Sequence, residues 1–272
     1  MKKTSVSTII GFGIGIFCII SSIKMSGNFS SFLNWPSVFI TVGGTTGAVV
    51  VSFPPNKLKT LGHVMRKSFR KVQYDFVKDI QTIVSLSEIA RSKGLLALED
   101  AAPKYADDEF LQKGILLIAD GVGEDVLKKA LRSEIYFAKK RHQDGHAMLD
   151  MIANTSTSLG LLGTYIGLIP MLENLEDPTK LGPLMAIELV TSFYGAFIAY
   201  VVFMPMSKRL KVMSADEALR KEFLLEGLTS IMEGKNPRTI QENMISCLTK
   251  KDVKKMGSVS KQIRELKMKG VA

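Results

Sequence analysis

The stretch PLMAIELVTSFYGAFIAYVVFMPM, residues 183–206, decides the fold of this chain. It contains a single charged side chain, Glu188. As a helix it would be about 36 Å long, which is enough to cross a hydrocarbon core of about 30 Å. Because no water satisfies backbone polar groups in that core, a helix is the form that such a stretch takes there. The sequence therefore predicts a transmembrane helix.

Three further stretches have the same character. The first follows Lys2 and Lys3, which resembles the start of a cleaved signal peptide. That stretch is long, however, and Ser21-Ser22-Ile23-Lys24 is a poor cleavage site, so we expect an uncleaved span. With residues 183–206 the chain is predicted to have four spans; the other three are Ser5–Ile23, Pro36–Phe53 and Met151–Leu172.

The charges lie outside these spans. The 272 residues are 46% hydrophobic, yet they carry 36 Lys and Arg against 26 Asp and Glu, a formal net charge of +10. This separation argues against a soluble globular enzyme, a disordered chain, a disulfide scaffold and a repeat solenoid. The sequence shows no basic face interleaved with aromatic residues, so nucleic acid is not an expected partner. We expect no metal site either, because the pair His142 and His146 has no obvious third ligand.

The distribution of Lys and Arg predicts the orientation. The two short loops, 24–35 and 173–182, are poor in basic residues, whereas the other segments are rich in them. Short basic flanks stay in the cytoplasm, so both termini are predicted to be cytoplasmic. The predicted segments are spans one and two (1–55), a cytoplasmic domain (56–150), spans three and four (151–206) and a cytoplasmic tail (207–272).

Both cytoplasmic segments are predicted to be helical. Apolar residues recur at helical spacing over 84–98 and again over 110–118, after the polar turn Asp107-Asp108-Glu109. Residues Glu124–Met148 form a long amphipathic pattern that is expected to run directly into span three. The tail pattern predicts a helix over Ala215–Met232, a second short helix from Pro237, and fraying over Val253–Ala272.

Four polar residues lie at membrane depth. Thr164 is near the middle of span three, and Thr191 and Ser192 are near the middle of span four. Such hydroxyls can bond to the carbonyl one turn earlier. Alternatively, they can line a hydrated path, because a hydroxyl both donates and accepts. Glu188 either reaches the outer water or takes part in ion handling. From the residues alone, both alternatives stay open.

At this point the motifs resemble those of the MotA family, the larger subunits of bacterial flagellar stators within the MotA/TolQ/ExbB proton channels. The resemblance runs from about Ser7 to about Leu210. It is carried by five motifs in order: Phe32 to Thr45, Gly160 to Leu168, the outer loop from Leu175 to Pro183, Thr191 to Gly195, and Phe203 to Pro205.

The resemblance implies an all-α integral membrane protein of the bacterial cytoplasmic membrane, with a helical cytoplasmic domain between spans two and three. It implies a homo-oligomeric ring, understood as five copies, around a pair of single-span MotB-like chains that bind peptidoglycan. Ions flow inward and the ring turns the rotor. No catalytic activity and no cofactor are implied, and we expect protons rather than sodium ions. Membrane lipid is a further expected contact.

The resemblance also implies roles for residues. Arg91 and Glu99, with Lys93 as a lesser candidate, would face the rotor switch protein of the flagellar C-ring, and opposite charges suit a fast, reversible contact. Thr164, Thr191, Ser192 and Glu188 would belong to the ion pathway, and Pro205 would kink the inner end of span four. Three positions depart from the family pattern: Thr157 replaces a frequent proline, Ser192 a usual threonine and Glu188 a usual small residue.

Two alternatives remain, and a membrane enzyme is a weaker third, because no nucleophile, metal set or acid–base pair lies at a shared depth. An energiser of envelope transport of the ExbB or TolQ type also conducts ions around single-span partners, but those proteins have three spans. A membrane scaffold without ion flux would tolerate alanine at Thr164, Thr191 and Glu188.

Overall fold

The computed structural model describes residues 5–27, 29–72 and 74–248, together with residue 253. Every regular element in these residues is helical, as the sequence predicts. Lys2 and Lys3, and all but the first residue of the tail predicted to fray, lie outside the described residues.

The elements follow in chain order. Besides α-helices there are two 3₁₀-helical segments, Phe29–Phe32 and Leu95–Tyr105, and two π-helical segments, which we call π1 (Phe39–Gly43) and π2 (Phe197–Phe203). The α-helices are α1 (Val6–Ser26), α2 (Trp35–Val38), α3 (Gly44–Ser52), α4 (Pro55–Leu58), α5 (Leu61–Ser68), α6 (Phe76–Lys93), α7 (Glu109–Ala119), α8 (Glu124–Glu173), α9 (Pro178–Ala196), α10 (Met204–Met232) and α11 (Pro237–Ser246).

Within the described residues, four helical stretches are long and apolar enough to cross a membrane. The first keeps most of its large apolar side chains exposed; Phe17, for example, is 70% exposed. An exposed apolar face of this kind suits lipid rather than water. The stretches are Val6–Met25, Phe29–Ser52, one within Glu124–Glu173 and one within Pro178–Met232.

The helix boundaries largely follow the sequence signals. The predicted amphipathic helix from Glu124 does continue without a break into span three, as α8. α9 begins at Pro178, five residues before the predicted start of span four, because Asp177 caps it by accepting from the Thr179 backbone N–H at 3.1 Å. The apolar run after Gly94 is 3₁₀-helical rather than α-helical.

The chain divides into two compact units at residues 72/73, 139/140 and 213/214. The first unit contains α1 to α5, α9 and π2, with the parts of α8 and α10 that belong to it. Its buried cluster joins one residue of α3 to residues of α8 and α10: Val49, Leu149, Ile152, Met206 and Leu210. The division into four segments at residues 55, 150 and 206 stays a prediction.

The second unit contains α6, α7, α11 and the remaining parts of α8 and α10. Its core is larger and entirely aliphatic at its centre. Gly114 of α7 admits Leu228 so closely that a Cβ there would overlap the leucine. The fully buried residues of this core include Ile80, Ile83, Leu86, Leu98, Ile115, Ile118, Leu127, Leu131, Leu224, Leu228 and Ile240.

Candidate functional site

Spans three and four pack against each other through small residues. On α8, Gly160, Gly163 and Gly167 follow one another at a spacing that keeps them on one face of the helix. A Cβ on Gly160 would lie 3.2 Å from the Cα of Gly195, and one on Gly167 would lie 2.9 Å from the Glu188 backbone nitrogen. A Cβ on Gly163 would overlap the Thr191 side chain. This contact leaves no room for side chains and brings the two backbones together.

The order of these contacts defines two flanks of the helix pair. Residues with rising numbers in α8 contact residues with falling numbers in α9, so the two helices are antiparallel. In an antiparallel pair, a step of one residue after each contact turns both side chains toward the same side, by about 100° each. Thr164 follows Gly163 and Ser192 follows Thr191, so both lie on one flank.

Thr191 itself is held between helices. It is fully buried in the chain, its hydroxyl donates to the Ile187 carbonyl at 2.5 Å, and the Ser37 Oγ of α2 lies 2.9 Å away. Ser37 is also fully buried and lies 3.1 Å from the Asn34 side-chain oxygen. The structure therefore places Thr191 where it fastens span four to the start of span two.

Thr164, Ser192 and Glu188 are instead partly exposed. The Thr164 hydroxyl donates to the Leu161 carbonyl of its own helix at 2.6 Å, the back-bonding that is common for such residues. Within the described residues the Glu188 carboxylate forms no hydrogen bond or ion pair. Of the four predicted pathway residues, the structure brings these three to the flank opposite Ser37 and separates Thr191 from them.

The predicted rotor-facing residues lie around a turn. α6 ends at Lys93, and Gly94 follows with φ +87°, a conformation that side chains disfavour. Arg91 and Lys93 precede this glycine and Glu99 follows it, and all three are exposed. The fully buried Leu98 fixes the segment beneath them. The turn thus presents both signs of charge to the outside.

Pro205 lies in the first turn of α10, directly after π2. A proline has no N–H and cannot donate to the carbonyl one turn earlier. The segment before it, π2, is π-helical, and such local changes in helical winding are frequent at functional sites. Arg209, one turn further on, donates from Nε to the Ser68 carbonyl at 2.5 Å and from Nη2 to the Arg70 carbonyl at 3.1 Å.

The second unit contains an ionic cluster that the sequence did not predict. Arg220 of α10 donates to both carboxylate oxygens of Asp79 at 2.8 Å, and its Nη2 lies 2.7 Å from Asp108. Asp108 is also the N-cap of α7. Burial opposes the charge of Arg220, but Asp79 and Asp108 outweigh it and raise the pKa of Arg220 above its ordinary value. No sequence signal points to this cluster, because Asp79 and Arg220 are 141 residues apart.

A second cluster that the sequence did not predict joins α8 to the start of α10. Asp150 accepts from the Ser207 hydroxyl at 2.6 Å and pairs with the Lys211 ammonium at 2.6 Å. Burial raises the pKa of Asp150, but the hydrogen bonds from Lys211 and Ser207 outweigh it and hold the pKa below its ordinary value. Asp150 therefore stays ionised and fastens α8 to α10 within the first unit.

Four membrane-spanning helical stretches with polar groups at membrane depth define a multi-pass integral membrane protein. Residues 102–223 match the model of the MotA/TolQ/ExbB proton channel family. Motility protein A of Cereibacter sphaeroides is 36% identical over 90% of this chain and 96% of its own length. The chain therefore belongs to the MotA/TolQ/ExbB proton channel family, which confirms the resemblance seen in the sequence.

Two further proteins are similar to this chain over most of its length. The uncharacterized protein YtxD of Bacillus subtilis is 40% identical over 90% of this chain and 91% of its own length. The solved structure of the flagellar MotAB stator complex from Bacillus subtilis superimposes with a TM-score of 0.83 at 29% identity, over 92% of this chain and 98% of the solved one. The predicted all-α membrane fold is confirmed.

Proposed function

We propose that this chain is the larger subunit of an ion-driven flagellar stator. The observation that carries the proposal is the match along almost the whole of both chains to a solved MotAB stator. The family model also includes energisers of the ExbB and TolQ type. The four spans and the Motility protein A relatives favour the stator over an energiser.

The subunit works as part of an assembly. The solved relative is a complex named for two kinds of chain, MotA and MotB. As the family resemblance implies, copies of this chain form a ring, five in number, around a MotB-like single-span partner that binds peptidoglycan. The protein then lies in the bacterial cytoplasmic membrane with both termini in the cytoplasm, in keeping with its basic cytoplasmic segments.

The ion pathway follows the open flank of the pair α8 and α9. Thr164 and Ser192 offer hydroxyls there, and Glu188 adds a carboxylate that no partner in the described chain neutralises. The MotB-like helix lies along this flank, and protons rather than sodium ions pass between the two. Thr191 supports the flank from behind through Ser37. An unpaired carboxylate at membrane depth is costly, which favours a functional role for Glu188.

The second unit lies in the cytoplasm and meets the rotor at the Gly94 turn. Arg91 and Glu99, with Lys93 between them, present opposite charges on an exposed surface. Contacts of this kind form and break quickly and add little affinity, which suits repeated stepping against the rotor switch protein.

Deleting the gene tests the proposal. Cells are scored for swimming and, by electron microscopy, for flagellar filaments. A stator subunit predicts paralysed cells with normal filaments. Cells that swim normally and have a defect in envelope transport would instead identify an energiser. Swimming that stops when sodium is removed at constant pH would overturn the proton assignment.

A further inference from the structure

A groove of about 480 Å³ runs between α1 and the inner part of span four. On the α1 side the floor of the groove is formed by Gly11 and Gly15, which lie one turn apart. A Cβ added at Gly11 or at Gly15 would meet nothing within 4 Å, so the space above both glycines is open. The other side of the groove is lined by residues that include Val201, Pro205 and Arg209.

One end of the groove is cationic. Arg209 is the charged residue among its described lining residues. Its two hydrogen bonds to the Ser68 and Arg70 carbonyls hold the guanidinium in place. A guanidinium has five N–H donors, so these bonds leave further donors for an acceptor in the groove. Ser7, one turn before Gly11, also lines the groove, and its hydroxyl lies 3.1 Å from that of Ser5. The Ser5 backbone N–H donates to the Phe69 carbonyl, which places this end of α1 beside the carbonyls that hold Arg209.

The remainder of the groove is mostly apolar, with Thr8 and Tyr200 as its other polar residues. From Ser7 to Ile19 it follows α1 for about 18 Å, close to the depth of one leaflet, which is about half of a 30 Å core. The groove is open along one side and long enough for an extended hydrocarbon chain to lie in it.

We propose that this groove binds an anionic phospholipid. The phosphate lies on Arg209 and Ser7, and one acyl chain lies along Gly11 and Gly15. In the orientation proposed above, this is a lipid of the cytoplasmic leaflet. The inference goes beyond ion conduction: the choice of leaflet and the use of the intact complex rest on the proposed function, whereas the groove itself requires only that the chain spans the membrane. Binding would join span one to the inner end of span four, next to Pro205.

Photolabelling of the intact complex tests the proposal. The complex of this chain with its partner is reconstituted in phosphatidylcholine vesicles that contain phosphatidylglycerol with a photoactivatable acyl chain. Labelled peptides are expected within 7–19 and 200–209. The substitution Gly15→Leu fills the groove and is expected to reduce this labelling several-fold. Gly13→Leu is the matched control, because Gly13 also faces open space but does not line the groove.

Three outcomes would overturn the proposal. The first is equal labelling of the Gly15→Leu and Gly13→Leu proteins. The second is a phosphatidylcholine probe that labels the wild-type complex as strongly as the phosphatidylglycerol probe; this comparison needs no variant. The third is efficient disulfide cross-linking of Gly15→Cys to a cysteine on another chain of the assembly, which would show that a protein helix occupies the groove.

Discussion

Gly163 of α8 lies so close to Thr191 of α9 that a side chain at position 163 would overlap the threonine. The same threonine contacts Ser37 of α2 on its other side. One residue therefore joins three spans, and the glycine is what permits it. The contact sets the register of α8 against α9, and with it the flank on which Thr164 and Ser192 lie.

Gly195→Ala tests how tightly this register is fixed. A Cβ at position 195 would lie 2.5 Å from the Ser156 carbonyl oxygen and 2.9 Å from the Cα of Gly160, and both are backbone atoms that cannot move aside. Overpacking of this kind costs about 1–3 kcal/mol. We expect a lower thermal midpoint for the detergent-solubilised protein. Gly182→Ala in the same helix faces open space and should leave the midpoint unchanged; equal midpoints for both variants would contradict the close packing.

The sequence predicts much of this arrangement but not its detail. Uncharged stretches fix the four spans, and glycines within them indicate close packing. The sequence cannot show which helix meets which glycine, since Gly163 and Thr191 are neighbours only after folding. For the same reason it places Thr191 and Ser192 together as adjacent hydroxyls, whereas helical geometry turns them to different surroundings. The positions of Arg91 and Glu99 came from family resemblance rather than from the residues themselves.

Valine substitutions should distinguish the role of Thr164 from that of Thr191. Among the described residues the Thr164 hydroxyl bonds to the Leu161 carbonyl of its own helix, so we expect Thr164→Val to reduce proton flux and leave the complex intact. Thr191→Val also removes the contact with Ser37, and a net hydrogen bond contributes about 1 kcal/mol. That variant should therefore lose thermal stability as well. The measurements are proton uptake by cells that express both subunits and recovery of the complex by size exclusion. Unchanged uptake with Thr164→Val would count against its place in the pathway.

Arg220 is expected to stabilise the second unit through Asp79. The Asp79 side chain is only 9% exposed, so Arg220→Met would leave a buried carboxylate without its main partner. Breaking such a pair costs roughly 3–5 kcal/mol. We expect faster amide hydrogen exchange in α6 and α7 and unchanged exchange in α1. Combining Arg220→Met with Asp79→Asn should recover part of the protection. Equal exchange in α6 before and after the single change would show that the pair contributes little.

Asp150 predicts a pH dependence of stability. Its pKa is lowered in the folded chain, so the ionised carboxylate stabilises the fold above the ordinary value of 3.8. That contribution is lost as the pH falls through the lower, folded-state pKa. Asp150→Asn should therefore lower the thermal midpoint near neutral pH, and the gap to the wild type should close below pH 3.8.

The control for Asp150 is Asp144→Asn. Asp144 also pairs with a lysine, Lys57, but its side chain is 44% exposed, so solvent screens the pair and the effect should be smaller. A gap between Asp150→Asn and the wild type that stays constant down to pH 3 would be inconsistent with the proposed ion pair between Asp150 and Lys211.

Charge reversal at the Gly94 turn should uncouple the stator from the rotor. In Arg91→Glu and Glu99→Lys the altered side chains are exposed, and surface changes of this kind shift stability by no more than about 0.5 kcal/mol. We expect the complex to remain in the membrane while cells swim slowly or stop, because each reversal replaces attraction with repulsion at the proposed rotor contact. Rotation speed of tethered cells measures the effect.

Lys78→Glu reverses an exposed charge at the other end of α6, and cells carrying it should rotate at wild-type speed. If that control slows rotation equally, the Gly94 turn has no special part in the contact, and loss of the complex from the membrane would point to assembly instead.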